Sequence, residues 1–164
     1  MARVQIISAQ TGGTGEWSST SSVSASTSVV RSGAYSFSYS AGCVATGKVF
    51  NDTSGGNAYC TLWVYPTGGF YSGYIYFYDS SGNTLAIITV QSVGTLTAQA
   101  TGGSISSATS TTLTQNAWNF ISCRYAKGSG ANAVAEVTLS GSTVSSTNGT
   151  GTANPHHIGW QTGG

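Results

Sequence analysis

The stretch AWNFISCRYAKGSGANAVAEVTLSGSTV, residues 117–144, decides the fold class of this chain. Its side chains divide into two alternating sets over residues 118–125 and again over 134–139. Period-two alternation is typical of β-strands with one buried face. A Gly/Ser-rich loop at 127–131 separates the two segments, and a Ser-Gly-Ser turn follows the second. Because glycine reaches the positive φ of tight turns, the stretch predicts a hairpin and a short strand after it.

The same alternation recurs along the whole chain. β-branched and aromatic residues alternate with small polar ones, and turns rich in Gly, Asn, Asp and Ser follow about every ten residues. No segment places apolar residues at helical spacing over two turns. The sequence therefore predicts an all-β domain. The expected strands are residues 3–9, 17–30, 30–39, 44–50, 58–65, 73–78, 84–90, 94–100, 118–125, 134–139, 143–144 and 154–160.

Composition limits the function classes. Charged residues make up 5% of the 164 residues, against roughly 25% in ordinary soluble domains. The net charge of +1 leaves no basic patch for nucleic acid. A surface of Ser, Thr, Asn, Gln and Gly loses little on desolvation, which suits packing in an ordered assembly. A secreted or extracellular polar β-domain fits the composition equally well.

Two segments resemble a known domain family. The Trp-led hairpin at 117–144, and the Arg-Ser-Gly-Ala-Tyr-Ser segment at 31–36 before an alternating strand, resemble parts of laminin-G-like domains. The resemblance covers roughly residues 30–144 and lies in the order of the elements. It implies an antiparallel two-sheet jelly-roll sandwich of the concanavalin-A-like type. We expect one domain over residues 1–164, with extended arms at 1–17 and 148–164.

The cysteines and the lengths of the apolar runs indicate the cellular compartment in which the chain is made. Cys43, Cys60 and Cys123 are an odd set, so at least one thiol is unpaired within the chain. We expect Cys60 and Cys123 to be buried small hydrophobes, with all three thiols reduced in a cytosol; a Cys43–Cys60 disulfide is the alternative. The apolar start of the chain is too short for a signal peptide, and no run approaches the roughly 18 residues of a membrane span.

Carboxylates are scarce. Glu16, Asp52, Asp79 and Glu136 are all that the chain has, and no two lie within twenty residues of each other. Glycoside hydrolysis needs a carboxylate pair. The concanavalin-A-like glucanases carry theirs as Glu-x-Asp-x-x-Glu on one strand, and this motif is absent. We therefore predict no catalytic residues and no enzymatic activity.

Metal-binding patterns are equally sparse. Asn51, Asp52 and Asn57 form the one local oxygen cluster, but they include a single carboxylate, and calcium sites use several. His156 and His157 are adjacent, and neighbours on a strand point to opposite faces, so we expect that they do not chelate one ion. The sequence predicts no metal and no cofactor.

Aromatic residues are unusually dense over residues 65–78. Sugar-binding proteins stack sugar rings on exposed Tyr and Trp, and Phe70 and Tyr71, in a Gly-rich loop, are the best candidates for such a platform, followed by Tyr74. The alternative, which we favour at this point, is that alternate members of the run fill the core and the loop pair contacts another subunit. The run consists of Tyr65, Phe70, Tyr71, Tyr74, Tyr76 and Tyr78.

A small, weakly charged, Ser/Thr/Gly-rich jelly roll is similar to domains of tailed-phage virion proteins. This similarity implies a non-enzymatic virion structural protein, above all a capsid decoration or cement protein made in the host cytoplasm. Its partners would be the major capsid or another virion protein and further copies of itself, without nucleic acid or membrane. The alternative is a lectin-like carbohydrate-binding module on a phage tail or cell surface, with glycans as ligands. The expected interface residues of the arms are Arg3, Trp17, His156, His157 and Trp160.

Overall fold

The computed structural model describes residues 17–31, 36–49, 56–67, 70 and 72–162. These residues form ten β-strands and no helix, so none of them belongs to a helix that could cross a membrane. The predicted strand at 3–9 lies outside the described residues. The strands are β1 (Trp17–Ser26), β2 (Ser36–Val49), β3 (Asn57–Val64), β4 (Gly73–Tyr78), β5 (Thr84–Val90), β6 (Leu96–Ala100), β7 (Asn119–Ala126), β8 (Ala133–Leu139), β9 (Ser142–Gly149) and β10 (His157–Thr162).

Two antiparallel sheets hold these strands. The six-stranded sheet has the order β1-β2-β10-β4-β5-β6, and the four-stranded sheet has the order β3-β7-β8-β9. The strands β7, β8 and β9 follow one another as hairpins, as the stretch at 117–144 predicts. β10 returns from the far end of the sequence and pairs between β2 and β4. The predicted all-β, two-sheet jelly-roll sandwich is confirmed.

Alternate residues of both sheets fill the space between them. In β7, Ile121 and Tyr125 are fully buried, and Phe77, Ile88 and Leu96 face them from the six-stranded sheet. The rings of Phe77 and Tyr125 lie 6.3 Å apart between centroids. Because each such side chain stabilises the fold by about 1.5–3 kcal/mol when it is buried, this set is the main energetic link between the sheets.

The Ser/Thr-rich segment after β6 covers the outer edge of that strand. The hydroxyl of Thr109 accepts from the backbone N–H of Leu96 over 3.0 Å, and the Thr109 N–H donates to the Leu96 carbonyl over 2.9 Å. The hydroxyl of Ser106 likewise accepts from the backbone N–H of Ala98, and the Ser106 N–H donates to the Ala98 carbonyl, each over 2.9 Å. Open strand edges recruit other chains. The low-complexity segment therefore closes an edge that would otherwise be open.

The last described residues of the chain, 157–162, belong to the sheet. Because β10 pairs on both sides, residues 157–162 of the arm predicted at 148–164 lie in the middle of the six-stranded sheet. Trp160 packs against the core from this strand. The backbone of Trp17 opens β1, paired with β2. Both were predicted as arm residues, and backbone pairing places both in a sheet; Arg3 lies outside the described residues.

The cysteines lie on the inner side of the sandwich. Cys43 and Cys123 are buried, Cys60 is partly buried, and all three are free thiols in this structure. Cys60 lies directly opposite Cys123 across β3 and β7. Burial raises the pKa of Cys60 to about 12, since the thiolate is poorly solvated there. Burial also raises the pKa of Cys123, so Cys60 and Cys123 act as small apolar groups at neutral pH.

Candidate functional site

Strand β4 places three tyrosines on the outer face of the six-stranded sheet. Its sequence GYIYFY buries the residues between them, while Tyr74, Tyr76 and Tyr78 stay half-buried. The ring centroids of Tyr74 and Tyr76 lie 5.9 Å apart, and those of Tyr76 and Tyr78 lie 5.5 Å apart at an interplanar angle of 17°. Side chains two positions apart on a strand share a face. We call these three residues together with His157 the tyrosine ladder.

His157 extends this row onto the next strand. It lies opposite Tyr78 in the β4–β10 register, and the two rings stack at 5.0 Å and 25°. Gly159, two residues further along β10, leaves room for the ladder. A Cβ at Gly159 would lie 2.8 Å from Cε2 of Tyr78, which is closer than real Cβ contacts come. The absence of a side chain at this position therefore allows the Tyr78 ring to lean over β10.

His156 brings a second imidazole to the end of the ladder. The Nδ1 atoms of His156 and His157 lie 3.2 Å apart, with the rings edge to face at 86°. In a neutral pair one Nδ1 donates and the other accepts. The expectation that these rings point to opposite faces was wrong, because His156 precedes β10 and the alternation of the strand does not extend to it.

Two tyrosines of the ladder, Tyr76 and Tyr78, are neutral at ordinary pH. Burial, and secondarily the neighbouring Tyr74, raises the pKa of Tyr76. Burial, and secondarily Tyr76, raises the pKa of Tyr78 in the same way. Tyr76 and Tyr78 therefore present phenol groups that donate and accept hydrogen bonds without carrying charge.

A carboxylate lies close to the imidazole end. Burial, followed by the charge of His156, lowers the pKa of His157, against an opposing effect of Asp79. Hydrogen bonds from the side chain and backbone of Asn83, and from the backbone N–H of Ser81, lower the pKa of Asp79. At neutral pH this end of the ladder thus combines neutral imidazole with an ionised carboxylate.

An open depression of about 260 Å³ adjoins the ladder on β5 and β6. Ile87 lies opposite Tyr76 on one side and opposite Gln99 on the other, so the depression shares the outer face of the ladder. Hydroxyl and amide groups supply hydrogen-bond donors and acceptors there. The lining residues are Thr84, Ile87, Gln99, Thr101 and Gly102.

The residues predicted to bind sugar fall in different places. Tyr74 lies on the ladder, and Tyr71 lies outside the described residues. Phe70 is partly buried and packs against the core. Its ring lies close enough to Gly94 that a Cβ there would come within 2.9 Å of it. The Phe70 ring, predicted as part of an exposed platform, thus fills the space beside the β5–β6 turn and is only partly exposed.

Tyr76 and Tyr78 belong to the candidate site, although the sequence analysis did not name them as sugar-binding residues. The favoured interpretation placed alternate members of the aromatic run in the core, and both are on the outer face. The pattern Tyr-Ile-Tyr-Phe-Tyr contains the necessary signal, since the wholly apolar Ile75 and Phe77 have the stronger claim to the buried face. His157 and Gly159 gave no local signal, because their position depends on the pairing of β10.

The four-stranded sheet carries a second group of aromatic residues on its outer face. The exposed fractions are 65% for Tyr59, 42% for Trp63 and 42% for Phe120. The rings of Trp63 and Phe120 lie 5.0 Å apart across β3 and β7. The guanidinium carbon of Arg31 lies 3.7 Å from the Trp63 ring centroid, and that of Arg124 lies 5.9 Å from Tyr59. We call Tyr59, Trp63 and Phe120 the outer patch.

The described carboxylates lie apart from one another. Asp79 is held in the turn after β4, whereas Glu136 lies opposite Arg124 in the middle of β8, on the outer face of the other sheet. Glycosidases hold their two carboxyl groups within about 10 Å. Glu16 and Asp52 lie outside the described residues. In the part of the chain that is described, no three His, Cys, Asp or Glu side chains form a group that could hold a metal ion.

No protein-family model and no curated protein matches the sequence, whereas solved structures are similar to it. A sialidase is 11% identical at a TM-score of 0.53, and the match covers 74% of this chain and 11% of the sialidase chain. A tetrameric galectin from the ball sponge Cinachyrella sp. is 15% identical at a TM-score of 0.45, and the match covers 74% of this chain and 88% of the galectin. An endo-β-1,4-glucuronan lyase from the fungus Trichoderma reesei is 14% identical at a TM-score of 0.47, and the match covers 92% of this chain and 80% of the lyase.

These similarities concern the fold alone. Identities of 11–15% do not carry an activity from one protein to another. The similarity to the sialidase, of which this chain spans 11%, supports the sandwich architecture. Together with the observed strand order, it agrees with the concanavalin-A-like jelly roll that the laminin-G-like resemblance implies. None of the three names refers to a virion protein.

Proposed function

We propose that this chain binds carbohydrate and that the tyrosine ladder is the platform. The observation that carries the proposal is the continuous row of four rings on the outer face of the six-stranded sheet. Tyrosine combines a flat apolar face, which suits the C–H face of a sugar ring, with a hydroxyl that bonds sugar hydroxyls. Strand pairing already holds the rings in place, so little conformational entropy is lost on binding.

The ligand of this proposal is a neutral, hydroxyl-rich glycan that contacts several rings at once. Amides and hydroxyls border the ladder on both sides, with Gln99 on β6 and Gln161 opposite Tyr74 on β10. The ionised carboxylate of Asp79 acts on the imidazole end. An acidic sugar would meet electrostatic repulsion there, which disfavours it.

The proposal is binding without catalysis. Asp79 is engaged in its turn by Ser81 and Asn83, and Glu136 lies on the other sheet. Neither carboxylate is placed beside the other as glycoside hydrolysis requires. Prolonged incubation with the bound glycan should leave it intact by chromatography. Accumulation of shorter fragments would contradict this part of the proposal.

A glycan array followed by calorimetry with the best neutral ligand tests the platform. Tyr76→Ala removes the central ring and should weaken binding about tenfold, equivalent to about 1.4 kcal/mol and to the loss of one aromatic contact. Tyr59→Ala is the matched control, because it removes a tyrosine from the outer face of the other sheet. An equal loss of affinity in both variants, or an array on which the chain binds no neutral glycan, would overturn the proposal.

A second candidate is a virion structural role, as a capsid decoration or cement protein. The outer patch favours it, since three large aromatic side chains remain exposed on one face and are typical of a protein–protein contact. Only 5% of the residues are charged, so the surrounding surface is cheap to desolvate. In this proposal the patch packs on the major capsid or another virion protein, with further copies of the chain around it, after synthesis in the host cytoplasm.

Quantitative mass spectrometry of sedimented particles from the source lysate separates the two candidates. A decoration protein should sediment in many copies per particle, and the Trp63→Ser/Phe120→Ser double variant should be released while Tyr76→Ala stays bound. Absence of the chain from particles would exclude the decoration role. Release by Tyr76→Ala alone would point instead to attachment through the ladder.

A further inference from the structure

Two imidazoles meet at the end of the ladder in a fixed arrangement. The Nδ1 atoms of His156 and His157 lie 3.2 Å apart. The backbone N–H of His156 donates to the carbonyl oxygen of Tyr78 over 2.7 Å, which fixes the chain just before β10. The ring of His157 stacks on Tyr78 at 5.0 Å. The fold, and not the chance meeting of two mobile rings, therefore positions both nitrogen atoms.

This spacing fits the coordination geometry of a tetrahedral metal ion. Two nitrogen ligands at about 2.0–2.1 Å from Zn²⁺ lie about 3.3–3.4 Å apart when the N–Zn–N angle is tetrahedral. The observed separation of 3.2 Å is shorter by only about 0.1–0.2 Å, which a small rotation of either ring supplies. Imidazole nitrogen is also a preferred ligand of Zn²⁺, Ni²⁺ and Cu²⁺.

We propose that His156 and His157 bind one divalent transition-metal ion of this class through their two Nδ1 atoms. Water would complete the coordination, because among the described residues no third His, Cys, Asp or Glu joins the pair. Hard cations such as Mg²⁺ and Ca²⁺ take oxygen ligands and would not bind here. The inference does not rest on glycan binding.

The surroundings favour a cation. The Asp79 carboxylate acts on His157 from the turn after β4, and the ring of Tyr78 covers His157 from β4. A metal ion needs neutral imidazoles. On binding, the proton shared between the Nδ1 atoms moves to Nε2 of the donating ring.

A zinc titration of the tag-free chain tests the site. The chain has two histidines, so its imidazole NMR signals are few and can be assigned. With ZnCl₂ alone, both sets of signals should shift together and saturate at one equivalent. His156→Ala and His157→Ala should each weaken binding at least tenfold by calorimetry, since loss of an outer-shell partner alone costs about 10–100-fold.

Controls separate this site from other ligands. Cys43→Ser should leave zinc affinity unchanged, and MgCl₂ should shift neither imidazole. If His157→Ala disturbs the sheet, His156→Gln decides, because residue 156 lies outside β10. Zinc affinity that survives in a folded His156→Gln chain, or a shift of one imidazole only, would overturn the proposal.

Discussion

The two outer faces of the sandwich carry aromatic side chains in contrasting states. On the six-stranded sheet, the tyrosines of the ladder lean on one another and on His157, and all are half-buried. On the four-stranded sheet, Tyr59 is 65% exposed although it occupies the same kind of alternating position. Alternation alone therefore does not decide how an outward aromatic ring is held.

The position of the strand within its sheet explains the difference. β4 lies between β10 and β5, so rings on it meet neighbours on both sides, whereas β3 is the last strand of its sheet among the described residues and pairs there with β7. A ring with neighbours on both sides is ordered before a ligand arrives. A ring on an outermost strand remains available to a large, flat partner. The ladder thus suits a small, specific ligand, and the outer patch suits a protein.

Replacing an inner residue of β4 should produce the largest effect. Phe77→Ala empties a fully buried site between the sheets and should lower the free energy of unfolding by about 3–5 kcal/mol. Tyr76→Ala changes the next residue, on the outer face, and should cost about 1 kcal/mol. Urea unfolding of both variants measures the difference. Equal losses would contradict the assignment of inner and outer faces.

The next largest effect should come from replacing Gly159, because the space at this position lets the Tyr78 ring stack on His157. The Cβ of Gly159→Ala would press on Cε2 of Tyr78 and turn its ring away from His157. Affinity for the neutral glycan should fall about tenfold, or about 1.4 kcal/mol, in calorimetry. Gly73→Ala is the matched control, since its Cβ would meet its nearest neighbour at an ordinary 3.7 Å. Unchanged affinity in Gly159→Ala would show that the stacked geometry is unimportant.

Alkaline titration should distinguish the ladder from free tyrosine. Burial, followed by the neighbouring tyrosine, raises the pKa of Tyr76 and of Tyr78, so glycan binding should persist beyond about pH 10, where free tyrosine ionises. The folded chain holds these protons more tightly than the unfolded chain. The resulting stability is present below about pH 10 and is lost as the pH rises through the folded pKa. Ultraviolet difference absorbance, compared with that of Tyr76→Ala and Tyr78→Ala, measures the ionisation of these two residues, and thermal unfolding measures the stability. Ionisation of Tyr76 and Tyr78 at pH 10 or below would contradict their burial.

The inner face of each strand could be predicted from the sequence because a single buried face imposes period two. In β7 and β8 the buried residues are the alternate set that the sequence predicts, from Asn119 to Leu139. Loop residues have no such constraint. Phe70, named as a candidate platform or subunit contact, is partly buried against the core, and this packing depends on a distant turn at Gly94.

The order of strands in the sheets could not be predicted, and this limits what the sequence says of the site. Tyr74 was identified from its own segment. His157 and Gly159 complete the ladder only because β10 enters the sheet between β2 and β4, and no local pattern encodes a pairing between such distant segments. The same pairing explains why Trp160, expected in an arm, packs against the core.

The smallest effect on the fold should come from a charge placed in the outer patch. Thr61 is exposed on β3 between Tyr59 and Trp63, so Thr61→Lys should change the free energy of unfolding by less than about 0.5 kcal/mol. If the patch makes contacts between copies of the chain, the wild type should associate as its concentration rises in analytical ultracentrifugation. Lysine on an outermost strand opposes such contacts, so the variant should remain monomeric at the same concentrations.

The same substitution in the ladder sheet, Thr89→Lys beside Tyr74, should leave association unchanged. If Thr89→Lys were the variant that abolished association, the six-stranded face would be the contact surface, and the roles inferred for the two faces would have to be exchanged.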